Sequence, residues 1–276
     1  MKRATGILVF ILALVLVSAC AQMTKTTTPT ATAPVLDRIV KRGELVVGTA
    51  GTMPPLNMVT KSGALQGIDI DLAGLIASGM GVKARFETMP FDELLPALES
   101  GKVDMVLSGM TATPQRNLKV AFVGPYLSSG KSLLTKQKTL LSVKKVGELN
   151  SSERTFAALR GSTSEYFVQQ LLPKAKLVAV KDYNEGVALV LQDRVDGLVA
   201  DMPICVVTAM RYPDRGLAFV KTPLTYEPLC IAVPPGDPLL VNWLENFLSG
   251  LKGSGELAAR VDFWLSDRSW LKQLLD

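Results

Sequence analysis

The chain has 276 residues, 48% of them hydrophobic and 20% charged, and a formal net charge of +5 that includes Lys2 and Arg3. So small and evenly spread a charge leaves no electrostatic footprint for nucleic acid. Histidine is absent, which excludes Ser-His-Asp and Cys-His catalysis and the common zinc sites; neither a metal nor a cofactor is expected.

Lys2 and Arg3 precede an apolar run from Ile7 to Val17, which ends in Val17-Ser18-Ala19-Cys20. A basic start, a hydrophobic stretch short for a bilayer span and a small-residue cleavage site make an export signal over 1–19. A cysteine directly after the small residues resembles a bacterial lipobox, which implies cleavage before Cys20 and its lipidation. An ordinary secretory signal or an uncleaved anchor matches Leu16 to Ala19 less fully. Ala21 to Pro34 is rich in Thr, Ala and Pro and cannot build a core, so residues 20–36 read as a tether. The protein is expected at a membrane surface, in the periplasm or on the outer face of the cytoplasmic membrane.

From Asp37 the chain alternates strand and helix. A short helix over 36–41 leads to the strand Glu44–Gly48, and a loop with Pro54-Pro55 follows. A helix over 69–78 carries Asp69 and Asp71 in its first turn, where the helix dipole favours them. A strand over 82–88 and a helix over 91–99 precede the turn Ser100-Gly101 and an apolar strand, Val103–Leu107. This strand empties into Ser108-Gly109-Met110-Thr111-Ala112-Thr113-Pro114, with Arg116 just beyond. Hydroxyls, free backbone N–H groups and a planar guanidinium at a strand end make a plausible anion cradle. Strands over 120–123 and 133–134 follow.

A second series of the same style begins near Val146. It runs through a strand over 155–159, the turn Arg160-Gly161-Ser162-Thr163, a helix over 165–172 and a strand over 177–180. A helix over 183–192, a strand over 195–200 ending at Asp201 and a helix over 203–212 complete it. The extended segments 217–220 and 229–233 precede amphipathic helices over 237–252 and 255–264. Repeated β-α-β units imply largely parallel sheets covered by helices, here in two α/β lobes of related build. Cys205 and Cys230, both in apolar surroundings, could pair in an oxidising compartment or lie buried as small hydrophobes.

The pieces Gly43-Glu-Leu-Val-Val-Gly48, Gly67-Ile-Asp-Ile-Asp71-Leu-Ala, Phe91-Asp-Glu-Leu-Leu-Pro96-Ala-Leu, Gly101-Lys-Val-Asp104, Thr111-Ala-Thr-Pro-Gln-Arg116, Pro125-Tyr126, Arg160-Gly-Ser-Thr163 and Val195-Asp196…Ala200-Asp201 occur in a telling order. In that order the chain resembles the periplasmic solute-binding proteins of amino-acid ABC transporters, family 3. The resemblance implies the two-lobed type II periplasmic-binding fold, with a two-segment hinge near 127–135 and 222–226. Lobe 1 would comprise 37–129 and 225–276, and lobe 2 residues 130–224. It further implies a monomer that binds a free amino acid by hinge closure and presents it to a membrane permease.

The same resemblance assigns roles. Arg116 would take the ligand α-carboxylate, helped by Thr111 and, from the second lobe, by Ser162 and Thr163; the two threonines could equally cap loops. Asp201 would take the α-ammonium, with Ser108 and the Gly109 carbonyl nearby, and could also cap the helix that follows. Phe91 would stack on the ligand side chain, or serve as a hydrophobic staple. Asp69, Asp71 and Asp104 read as features of the fold. Where members that take basic or amide side chains carry an acidic residue and an aromatic, this chain has Ala50, Gly51, Met53 and Leu56; Met53, Leu56 and Phe91 would form an apolar wall against the ligand, so a neutral, apolar or aromatic side chain is expected. The same fold resembles cyclohexadienyl dehydratases, which carry a carboxylate shortly after the position of Asp201; Met202, Pro203 and Ile204 stand there instead.

Overall fold

The computed structural model describes residues 33–274, so the expected signal and Cys20 lie outside the described residues. The expected tether gives way at Pro34, two residues early, to helix α1 (Pro34–Arg42). Its first N–H groups, which have no helix carbonyl to bond, explain the early start: those of Val35 and Leu36 both donate to Asp237 Oδ2, at 2.9 Å each.

In chain order there follow β1 (Glu44–Thr49), three short strands β2 (Thr52–Met53), β3 (Asn57–Val59) and β4 (Leu65–Gln66), then α2 (Ile68–Gly79) and β5 (Lys83–Thr88). A 3₁₀ turn at Phe91–Glu93 leads into α3 (Leu94–Glu99), β6 (Met105–Val106), α4 (Pro114–Asn117) and β7 (Ala121–Ser129). The second series is β8 (Lys131–Thr135), β9 (Thr155–Leu159), α5 (Thr163–Leu171), β10 (Lys176–Val180), α6 (Tyr183–Leu191), β11 (Gly197–Asp201), α7 (Met202–Arg211) and β12 (Ala218–Phe219). The chain returns through β13 (Glu227–Val233), α8 (Pro238–Gly253) and α9 (Glu256–Ser266).

Two five-stranded sheets result, ordered β5-β1-β6-β13-β7 and β10-β9-β11-β8-β12. In each, three strands linked by helical crossovers run parallel. The other two in each run against a neighbour. The sheets are therefore mixed. Strands β8 and β13 enter from the opposite sheet without a crossover helix, and nothing obliges them to run parallel.

Side chains alternate faces along β9: Phe156 and Ala158 join one apolar cluster, Ala157 and Leu159 the other. The larger cluster runs on from the first sheet to the α6 and α7 side of the second. Asp104 is buried and ties α1 to the first sheet, accepting from Arg38 Nη2 at 2.9 Å, from Val46 N at 2.9 Å and from Arg42. The C-terminal helices carry the tryptophans. Trp243 on α8 stacks on Phe247 at 4.9 Å, while Trp264 on α9 meets Trp270 at 5.2 Å and donates to Asp71 Oδ2 at 2.9 Å. Cys205 and Cys230 are free thiols, both buried. Burial pushes the Cys205 thiol up to about 12 and that of Cys230 to about 11.

The chain passes between the sheets at 129–131 and 219–227, and the two passages touch. A Cβ on Gly130 would lie 2.3 Å from the Thr225 carbonyl oxygen and 2.6 Å from Pro223 Cβ, so only glycine lets them meet. Lys131 N donates to Thr225 Oγ1 at 2.9 Å, just past that contact.

Candidate functional site

The site is built on the loops that leave β6 and β9 and on the end of β11. Ser108 Oγ accepts from Ala50 N at 2.9 Å, which pins the end of β6 to the end of β1. Gly109 N then donates to Asp69 Oδ2 at 3.0 Å. Gly109 has φ +57°, and a Cβ there would stand 2.6 Å from Leu56 Cδ1 and 3.2 Å from Met53 Cε. Met53 and Leu56 are thus packed against the loop and buried in the core.

Asp69 does more than begin α2. Its carboxylate also accepts from Tyr126 OH at 2.6 Å and Asn57 Nδ2 at 2.7 Å. Burial raises its carboxyl from 3.8 to about 6, against the pull of these three hydrogen bonds. The folded form therefore holds the extra proton between about pH 4 and 6, and stability declines across that window as pH rises. Asp69→Asn is expected to flatten this slope, because an amide can accept from Gly109 and Asn57 and donate to Tyr126. Urea midpoints taken from pH 4 to 7 check it; an unchanged slope would assign the titration to another group.

Past Gly109 the loop is stitched to β13, with Cys230 N on the Met110 carbonyl and Ala112 N on that of Pro228. Thr113 caps α4 by accepting from Arg116 N at 3.2 Å. That cap sets the Arg116 side chain back over the loop. Its Nη1 donates to the Thr111 carbonyl at 2.8 Å, and Nη2 reaches the other lobe to donate to the Gly161 carbonyl at 2.9 Å. The guanidinium lies 5.7 Å from the centre of the Phe91 ring. Burial lowers its pKa to about 10, with the carboxylates of Glu227 and Asp201 opposing that fall, so it remains a cation at neutral pH.

The second lobe supplies the facing half. Ser162 caps α5: its Oγ accepts from Ser164 N and Glu165 N and donates to the Leu159 carbonyl at 2.6 Å. Its hydroxyl is committed to the helix. Thr163 points across the interface, its Oγ1 3.4 Å from Thr111 Oγ1. Asp201 ends β11 and stands at the N-cap position of α7, where its side chain makes no capping bond. It is 3% exposed, and burial raises its pKa even though Lys131 opposes the shift.

Two charged groups at this centre are not among the residues expected from sequence. Lys131, 1% exposed, donates from Nζ to Asp201 Oδ1 at 3.0 Å and lies 3.5 Å from Glu227 Oε2. Glu227 Oε2 accepts from both Thr111 Oγ1 and Thr163 Oγ1 at 2.9 Å, while Oε1 accepts from Thr225 Oγ1 at 2.9 Å. Burial alone would raise the Glu227 carboxyl; the Lys131 ammonium and the three hydroxyls outweigh it and hold the pKa below the usual range. The centre thus holds two cations, Arg116 and Lys131, and two anions, Asp201 and Glu227. A recess of about 280 Å³ shares Phe91 with this centre. Ala50, Thr52, Thr88 and Pro90 line it from one lobe, Lys181 and Asp182 from the other.

Residues 45–267 match the family of bacterial extracellular solute-binding proteins, family 3. The chain belongs to that family. This solute-binding protein is 29% identical over 225 residues to ABC transporter arginine-binding protein 1 of Escherichia coli, covering 79% of this chain and 88% of the relative. It is 38% identical to a putative binding component of an ABC transporter from Wolinella succinogenes, solved with lysine, with a TM-score of 0.79 over 84% of this chain and 99% of the other. Cyclohexadienyl dehydratase of Pseudomonas aeruginosa is also similar, 23% identical over 233 residues, covering 84% of this chain and 87% of the enzyme. These likenesses support the two-lobed type II periplasmic-binding fold and a substrate-binding role among amino-acid ABC transporter proteins.

Proposed function

We propose that this protein is the lipid-anchored, non-enzymatic substrate-binding component of an ABC uptake system, and that it takes one free amino acid between its lobes by hinge closure. The observation that carries this reading is the convergence of Arg116 and Thr111 from one lobe with Thr163 and Asp201 from the other. The first three are cation and hydroxyl donors suited to an α-carboxylate, and Asp201 is an acceptor suited to an α-ammonium. Closure would bring the halves together and exclude water, which strengthens both ion pairs. For the side chain, the recess beside Phe91 carries opposite charges in Lys181 and Asp182. One Asp182 oxygen already caps α6 by accepting from Glu185 N at 2.8 Å. This supports a neutral or apolar side chain, in contrast to the cationic ligands named for the two binding-protein relatives.

A thermal-shift screen against the twenty amino acids tests the reading, because a ligand that binds only the folded form raises its Tm. Stabilisation by one or a few neutral amino acids is expected; stabilisation by lysine or arginine alone would overturn the side-chain reading, and no shift at all the ligand class. The dehydratase reading would need a proton donor in the site. Ile204 offers none, and Glu227 is held ionised by Lys131. Release of phenylpyruvate from prephenate at enzymatic rates would overturn the transport reading. For the anchor, Cys20→Ser is expected to move the protein from the membrane fraction to the soluble one on cell fractionation. Retention in the membrane would point instead to an uncleaved helix.

A further inference from the structure

The groups that would hold an amino acid's charged head are bonded to side chains of the protein itself. Thr111 and Thr163 both donate to Glu227 Oε2 at 2.9 Å, and Asp201 accepts from Lys131 Nζ at 3.0 Å. Nζ and Oε2 lie 3.5 Å apart, so an ammonium and a carboxylate stand side by side as in a zwitterion. The carboxylate meets hydroxyls from both lobes in the field of Arg116, and the ammonium meets Asp201. We infer that Lys131 and Glu227 are a built-in counterpart of an α-amino-acid head group, and that they determine the specificity of the clamp by obliging a ligand to exchange with them ion for ion. The inference rests on the amino-acid reading above.

The placement of the pair suits such an exchange. Lys131 and Glu227 leave from the two passages between the lobes, and Thr225 joins them, accepting from Lys131 N and donating to Glu227 Oε1. They are anchored at the hinge and can withdraw together, still paired. An incoming zwitterion replaces one ammonium and one carboxylate with the same two charges, and every buried ion keeps a partner. A 2-oxo acid would displace Glu227 alone and separate it from its hydroxyls; a simple amine would displace Lys131 alone from Asp201. Either leaves a desolvated charge unpaired, and such groups are strongly disfavoured. The same exchange weakens binding of every amino acid, since each ion pair or hydrogen bond formed with the ligand's head group takes the place of an internal one.

Calorimetric titration of the full chain and of its Lys131→Met/Glu227→Gln double variant with the twenty amino acids tests the inference. The double variant is expected to bind the preferred amino acid at least tenfold more tightly than the wild type. Equal or weaker binding by a folded double variant would overturn the exchange and leave the amino-acid reading standing. Binding of no amino acid by either protein would overturn both. A second measurement needs no variant: a crystal structure of the wild type with its preferred amino acid. Lys131 is expected off Asp201 and Glu227 off Thr111 and Thr163; an amino acid seated with those bonds intact would overturn the exchange.

Discussion

Lys131→Met is expected to lower the free energy of unfolding by about 3–5 kcal/mol, the usual cost of removing one partner from a buried ion pair. The methylene stem is kept, so the loss falls on the charge. Asp201 and Glu227, 3% and 6% exposed, would be left facing each other without their shared cation. Urea unfolding at neutral pH measures the loss, and its pH dependence identifies the cause. Two stranded carboxylates have folded pKa values above their unfolded ones, so the deficit should shrink as pH falls and protonation discharges them. A loss below about 1 kcal/mol would mean that water or Arg116 compensates Asp201 more fully than the structure indicates.

Arg116→Ala is expected to weaken amino-acid binding by about 3 kcal/mol or more, over a hundredfold in Kd. Three effects act together. The α-carboxylate loses the one cation aimed at it from the first lobe, and Phe91 loses the guanidinium against its ring. The bond from Nη2 to the Gly161 carbonyl, which links the lobes, is lost as well. Lysine should rescue little, because a point charge cannot reach the Thr111 and Gly161 carbonyls at once as the planar fork does. Calorimetry with the amino acid that gives the largest thermal shift provides the measurement; unchanged affinity in Arg116→Ala would refute its assignment to the carboxylate.

Most elements were legible because their patterning is local. The buried run of β1 and the helical spacing of α2 need no knowledge of the rest of the chain. Strand β6 is shorter than the apolar run over 103–107 suggests, since Val103 N bonds to the Ala97 carbonyl and so remains in the turn after α3. Strand β7 is longer than expected. The strand expected over 120–123 runs on through Gly124-Pro125, where β13 shifts register opposite it, between Leu229 and Ile231, and a proline without an N–H is tolerated at such an irregularity. Of the site, Thr111 in its loop, Arg116 on α4, Thr163 at the start of α5 and Asp201 at the end of β11 stand together, whereas Ser162 serves its own helix.

Lys131 and Glu227 escaped notice because their meaning is nonlocal. Each is the single charge of its strand and stands at its first position, 96 residues apart in the chain. The available cue was that Leu133-Leu134 and the run Leu229–Val233 each mark a buried strand, so that a lysine beginning one and a glutamate beginning the other each require a partner. Sequence alone does not say that the two passages between lobes bring them together.

The tryptophan positions decide what an optical experiment on this protein can see. Trp243 and Trp264 sit in the returning helices α8 and α9, which pack on β7 and α2, and Trp270, in a 3₁₀ turn just after α9, lies against the Trp264 ring. None lies on the second sheet. Indole emission therefore follows the melting of one lobe and is blind to loosening of the other, whereas far-ultraviolet dichroism weighs both. Denaturation curves from the two probes coincide only if the lobes melt as one cooperative unit through their continuous apolar cluster. A gap between the curves would mark the second lobe as the part that comes apart on its own.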